Sequence, residues 1–119
     1  MKPATGKHWL VEFYGARGLG DTRAVRRALR NAATKSGATL LRTQLHHFGK
    51  GAGVTGVALL AESHISIHTW PERGYAAIDI FMCGRKCSPQ QALESLRLDL
   101  QPTRERVRRI LRRLPRTLR

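Results

Sequence analysis

Acidic residues are scarce in this 119-residue chain: eight Asp and Glu stand against twenty-two Lys and Arg, a formal charge of +14 with His neutral. Such a field attracts polyanions and acidic partners: nucleic acid, anionic membrane or acidic metabolites. Cysteine is nearly absent. Cys83 and Cys87 are the two in the chain, too few for a disulfide framework, and no His or Cys stands at zinc-ligand spacing around them. No metal is expected. Apolar runs are short, and none approaches the ~20 residues that a membrane helix needs. Met1 to Leu10 is polar and lacks the apolar centre of a signal peptide. The expectation is a soluble, cytoplasmic protein of one domain. A domain of this size leaves little room for an enclosed pocket, so a site shared between subunits is expected.

What is present reads as alternating elements. His8 to Tyr14 is aromatic and β-branched and predicts a strand. After a glycine-punctuated turn, Asp21 is a good helix N-cap. Ala24, Val25, Ala28, Leu29, Ala32 and Ala33 then recur at helical spacing, with Arg23, Arg26, Arg27 and Arg30 on the wet side. Ala38 to Phe48 and Val54 to Ala61 predict strands around the glycine-rich turn Gly49 to Gly53. In Glu62 to Pro71, His64, Ser66 and His68 alternate with Ile65, Ile67 and Thr69. Tyr75 to Cys83 predicts a further strand. Ser88 caps a second helix with Pro89 at its first position, and Leu93, Leu96 and Leu100 give that helix an apolar stripe. Strands in succession with short turns predict an α+β two-layer sandwich, an antiparallel sheet with helices packed on one face.

The segment Ala61 to Glu72 (AESHISIHTWPE) concentrates the chemistry. It places a hydroxyl, two imidazoles, two carboxylates and an indole at the end of an apolar strand, and a thiol follows at Cys83. No Gly-x-Ser-x-Gly elbow is present, so a conventional serine hydrolase is not indicated. The words Glu-Ser-His-x-x-Ile-His-Thr-Trp-Pro-Glu closely resemble the self-processing segment of the bacterial and archaeal S-adenosylmethionine decarboxylase proenzymes, a pyruvoyl-dependent family. Gly53-Val54-Thr55-Gly56-Val57, His46-His47-Phe48 and Tyr75 to Gly84 resemble further motifs of that family, in the same order and spacing. The resemblance covers roughly residues 7 to 100.

The resemblance implies that the Ser63 hydroxyl attacks the Glu62 carbonyl, turning an amide into an ester. β-Elimination then frees a chain ending at Glu62 and leaves a dehydroalanine, which water hydrolyses with loss of ammonia to a pyruvoyl group on the chain that begins at residue 63. The products would span 1–62 and 63–119. By matching position, His68 is the processing proton donor and Thr55, where the family more often has Ser, its helper. The pyruvoyl ketone, with no metal, would form a Schiff base with a substrate amine and accept the electrons released as carbon dioxide leaves. Cys83 would return the proton in turnover. Phe48 and Trp70 are candidates to stack a flat group such as adenine, and Glu72 to meet a charge or ribose hydroxyls. The expected partners are a small amino-acid-type substrate and further copies of the chain, since the family works as a dimer or a dimer of dimers.

Two features depart from the family's pattern. The loop Gly49-Lys50-Gly51-Ala52 lacks the family's proline and carries extra glycine, and Met82 replaces the Thr usual beside Cys83. Together they keep arginine or ornithine open as alternative substrates on the same chemistry. The stretch from Gln101 to Arg119 holds eight Arg and one Glu, a charge of +7, and matches no family motif. Val107, Ile110, Leu111, Leu114 and Leu118 stand at helical spacing in it, so it reads as a separable basic tail that contacts polyanions, either solvated or folded as an amphipathic helix. That tail carries the non-enzyme alternative, a basic nucleic-acid-binding protein.

Overall fold

The computed structural model describes residues 5 to 115. Asp21 caps α1 (Thr22–Lys35) by accepting the N–H groups of Arg23 and Ala24, and Ser88 caps α2 (Pro89–Leu100) by accepting that of Gln91. Both caps satisfy donors that a helix start otherwise leaves unpaired. The strands are β1 (Thr5–Tyr14), β2 (Leu40–His47), β3 (Val54–Leu60), β4 (Ser63–Trp70), β5 (Tyr75–Cys83) and β6 (Arg104–Arg113). They form one sheet in the order β2-β3-β4-β5-β1-β6, with antiparallel neighbours throughout.

Alternation decides which side of the sheet is dry. Val54, Ala58 and Leu60 on β3, Ile65 and Ile67 on β4, and Ala76, Ile78, Ile80 and Met82 on β5 are buried. They meet Val25, Ala28, Leu29, Ala32 and Ala33 of α1 and Leu93, Leu96 and Leu100 of α2 in one core. Gly56 belongs to this layer, because Leu45 and Leu29 fill the place where its Cβ would stand. The two-layer α+β sandwich expected from the pattern is therefore the fold. On the other side of the sheet Thr55, Val57, His64, Ser66, His68 and Asp79 remain exposed or half-buried, and no element among the described residues covers them.

The C-terminal stretch overturns its expectation. Residues 104 to 113 are neither a detached tail nor a basic amphipathic helix but the strand β6, paired with β1 from Tyr14↔Arg104 to Thr5↔Arg113; Leu118 lies outside the described residues. Gln101 takes a left-handed conformation (φ 47°) that ends α2, and the Thr103 N–H bonds the Tyr14 carbonyl at 2.9 Å to start the pairing. Glu105, the stretch's one acid, is bound by Arg97 of α2 through Nε (2.7 Å) and a second guanidinium nitrogen. That pairing holds its carboxyl below the usual range. The arginines lie over aromatic rings, Arg104 on Tyr14 and Arg109 on Trp9 at about 4.5 Å, so their stems pack as apolar groups while their charge stays wet.

Candidate active site

The sequence candidates fall into two clusters, at opposite ends of β4. The first lies at its start. Ala61 and Glu62 form the turn from β3, and Leu60 pairs with Ser63 across it. Ser63 has φ 151°, a region that a side chain disfavours, and such a residue typically stores about 1–3 kcal/mol of strain. The Glu62 carbonyl accepts the Cys83 N–H at 3.1 Å. Cys83 is half-buried and Cys87 fully so. Ser63 Oγ stands 3.1 Å from Nδ1 of His64, an imidazole to which the resemblance assigned no role. The Cys83 main chain thus meets the Glu62–Ser63 peptide, and the His64 ring stands beside the Ser63 hydroxyl.

The Glu62 carboxylate is not idle either. The Thr39 N–H bonds Oε1 at 2.9 Å and the Thr39 hydroxyl stands 3.2 Å from Oε2. The backbone N–H is the main cause that keeps this acid ionised below the usual carboxylate range. Burial first, and the Glu62 charge second, push the neighbouring Cys87 thiol up. The sequence assigned no role to Thr39 or Lys86, because they reach Glu62 only through turns distant in sequence.

The second cluster lies toward the far end of β4. Thr55 Oγ1 and His68 Nδ1 are 2.6 Å apart, on directly paired residues of β3 and β4. The His68 ring is flanked by Trp70 at 4.0 Å and Phe48 at 5.6 Å between centroids. Phe48, His68, Trp70 and Glu72 line one shallow depression of about 230 Å³. Phe48 is 53% exposed, so its ring is free to take a stacking partner. The candidates named from sequence for processing and for stacking therefore share one place. Gly53 makes that place possible: a Cβ there would come 1.8 Å from the Thr69 carbonyl oxygen. The rest of the glycine-rich loop is open, with nothing near Gly49 or Gly51.

The structure does not bring these clusters together within one chain. His68 follows Ser63 by five residues along an extended strand, about 17 Å at the usual rise. Between them the uncovered sheet face carries a cavity of about 430 Å³, lined by His46, Thr55, Ser66, His68 and Asp79 among others. Asp79 meets His8 Nε2 at 3.2 Å and accepts the Ser66 hydroxyl at 3.4 Å. Glu12 of β1 accepts the Tyr75 hydroxyl at 2.9 Å. Burial and that bond push the Tyr75 phenol up to about 12. Among the described residues no three His, Cys, Asp or Glu side chains converge to hold a metal, and no helix is long and apolar enough to cross a membrane.

Comparison with known proteins bears on the whole of this arrangement. Residues 7–113 match the family described as S-adenosylmethionine decarboxylase. The chain is similar to the S-adenosylmethionine decarboxylase proenzyme of Synechococcus sp. (strain WH7803), 47% identical over 112 residues, covering 92% of this chain and 87% of that one. The proenzyme of Parasynechococcus marenigrum is 50% identical over 113 residues, with 92% and 87% covered. The archaeal one of Methanococcus vannielii is 47% identical over 104 residues, with 86% and 84% covered. The crystal structure of the adenosylmethionine decarboxylase from Aquifex aeolicus matches at a TM-score of 0.83 and 32% identity, covering 92% of this chain and 91% of that one.

Proposed function

The chain belongs to the S-adenosylmethionine decarboxylase family, and on that premise we propose that it cuts itself between Glu62 and Ser63 and decarboxylates S-adenosylmethionine with the pyruvoyl group so made. The observation that carries the cut is the geometry of that peptide. Ser63 is held at φ 151° while the Glu62 carbonyl points at the Cys83 N–H. The first stores strain that an ester, free of the amide plane, releases. The second is a fixed dipole where negative charge develops as the hydroxyl adds, the role of an oxyanion donor. Ser63 Oγ bonds to the Glu62 carbon, the amide C–N bond breaks, and the hydroxyl proton passes to the released amine.

A pyruvoyl ketone at residue 63 supplies an electron sink for the loss of carbon dioxide from an α-amino acid. The chain's own residues do the rest. Cys83 follows Met82, the register partner of Ser63, and a thiol is a competent acid near neutral pH for returning a proton to the substrate carbon. Phe48, Trp70 and Glu72 suit an adenosyl group: two aromatic faces for the ring, worth roughly 1 kcal/mol beyond burial, and a carboxylate for ribose hydroxyls or the sulfonium charge. An aliphatic guanidinium or ammonium tail would leave those faces without a counterpart, so S-adenosylmethionine is preferred to arginine or ornithine.

The active protein is a homodimer. Ser63 lies about 17 Å from His68 along β4, too far for one proton to pass between them. A two-fold axis through the open sheet face near Ser66 would bring the partner's second cluster onto this chain's first, and by symmetry the reverse. The same contact covers the uncovered face. Intact-mass measurement tests the cut: the wild type should yield chains of residues 1–62 and 63–119, the second blocked at its N-terminus, and Ser63→Ala one full-length chain. Wild type that stays whole, even with a nucleophilic amine present, rejects the pyruvoyl assignment.

A further inference from the structure

The turn that contains the scissile carbonyl is an unusual one for its length. Two-residue hairpin turns favour Gly, Asn or Asp, which accept the positive φ angles that the tight reversal requires. Here the two residues are Ala61 and Glu62, and neither has a positive φ; the strained angle falls on Ser63 instead. Something outside the hairpin must hold the turn in this form.

That hold is visible on the Glu62 side chain. From the turn between α1 and β2, the Thr39 N–H donates to Oε1 at 2.9 Å and the Thr39 hydroxyl lies 3.2 Å from Oε2. From the loop between β5 and α2, Lys86 Nζ lies 3.7 Å from Oε2 and donates to the Thr39 hydroxyl at 3.1 Å. The Cys87 thiol borders the same carboxylate. The main chain is pinned alongside, with the Ala61 N–H on the Thr39 carbonyl at 3.0 Å and the Cys83 N–H on the Glu62 carbonyl at 3.1 Å. The two supporting loops touch closely, because a Cβ at Gly37 would stand 3.0 Å from the Lys86 carbonyl oxygen. The Glu62 side chain is only 16% exposed.

We infer that Thr39 and Lys86 are positioning residues for self-cleavage: by clamping the Glu62 carboxylate they fix the turn, keep the Glu62 carbonyl on the Cys83 N–H and hold Ser63 in its strained conformation. This rests on the cut proposed above. Without the clamp the turn relaxes, the strain at Ser63 dissipates and the carbonyl leaves its donor. Thr39 carries more of the effect than Lys86. Hydrogen bonds to an ionised acceptor are the strong ones, whereas the Lys86 ammonium is 67% exposed and screened by solvent.

The test is the rate of self-cleavage in freshly made full-length chains, followed by intact mass with and without hydroxylamine. Hydroxylamine opens the ester between the Glu62 carbonyl and Ser63 Oγ. Loss of charge-assisted hydrogen bonds should make Glu62→Gln slower by about tenfold or more, and Thr39→Val by severalfold. Lys86→Met should slow cleavage by a smaller factor and Lys86→Arg should restore it. Hydroxylamine should not rescue Glu62→Gln, since the clamp acts before the ester forms. Once cleaved, Lys86→Met should melt and decarboxylate as the wild type does. The inference is overturned if Glu62→Gln and Thr39→Val cleave at the wild-type rate, or if hydroxylamine cuts them as fast as the wild type. Should Thr39→Val fail to fold, the exposed Lys86 pair decides alone: equal rates for Met, Arg and Lys at 86 remove the clamp. A wild type that never cleaves removes the cut itself, which no variant result imitates.

Discussion

Two chains that are each unable to cleave should cleave when made together. Ser63→Ala lacks the hydroxyl that attacks, and His68→Ala lacks the imidazole that Thr55 orients at 2.6 Å. In one chain these groups are about 17 Å apart, a gap that no side-chain rotation closes. If the site is completed by the partner, a mixed dimer holds one complete site, with Ser63 from one chain and His68 from the other, and one doubly broken site. Random assembly of equal amounts makes about half of all dimers mixed. About half of the His68→Ala chains should then be cut, and none of the Ser63→Ala chains. Alone, His68→Ala should cleave on the order of 100-fold more slowly than the wild type, the usual cost of losing a proton-transfer group. The assay is co-expression of the two chains with tags of different mass, followed by intact-mass counting of each fragment. Absence of cleavage in the mixture refutes the shared site. Fast cleavage of His68→Ala by itself refutes the role of His68. If in addition His64→Ala is the variant that stalls, the imidazole 3.1 Å from Ser63 Oγ within the same chain is the base instead.

Other perturbations separate the remaining parts. Cys83→Ala keeps the backbone N–H that faces the Glu62 carbonyl, so it should still split the chain, yet lose decarboxylation by about 100-fold; near-normal turnover in a carbon dioxide release assay would leave Cys83 a packing residue. Gly53→Ala drives a Cβ to 1.8 Å from the Thr69 carbonyl oxygen and parts the Val54 N–H from Thr69 Oγ1, now at 2.8 Å. It should cost about 3 kcal/mol in a denaturant titration, and unchanged stability would contradict the packing described. Ending the chain at Pro102 removes β6 and leaves β1 a bare edge, open to aggregation; a wild-type melting curve for that chain would make residues 104 to 113 a detachable tail after all.

Most of the fold was legible because its signals were local. Asp21 and Ser88 announce helix starts whose caps the structure contains, and the alternation of Ile65 and Ile67 with His64, Ser66 and His68 sets the two faces of β4. The site residues were legible as a set, through the motif, but their grouping was not. Period two puts Ser66 and His68 on one face without saying that five residues of extended chain keep His68 from Ser63. Thr39 and Lys86 stayed hidden for a related reason: each reaches Glu62 from a turn more than twenty residues away in sequence, and nothing in a Thr or a Lys on a loop announces such a contact.

β6 was misread for a more instructive reason. In a strand covered on one face, apolar residues should recur every second position, and RERVRRILRR does not obey. Its helix-facing side is Glu105, Val107, Arg109 and Leu111, inferred from their register partners Phe13, Val11, Trp9 and Lys7. Two of those four are charged. Each charged one is nevertheless satisfied, Glu105 by Arg97 and Arg109 by the face of Trp9. On the opposite side Arg104 lies over Tyr14 and Arg112 over Phe81, again using an arginine stem where a core strand would use a branched aliphatic. The apolar residues left over, Val107, Ile110, Leu111 and Leu114, then happen to fall at spacings of three and four, and the sequence imitates a helix. An edge strand tolerates this because only one neighbour must be matched, and the arginines that obscure its period also discourage pairing with another chain along its free edge. The charge that first suggested a polyanion partner thus has a structural use at the sheet's border, independent of the chemistry at Ser63.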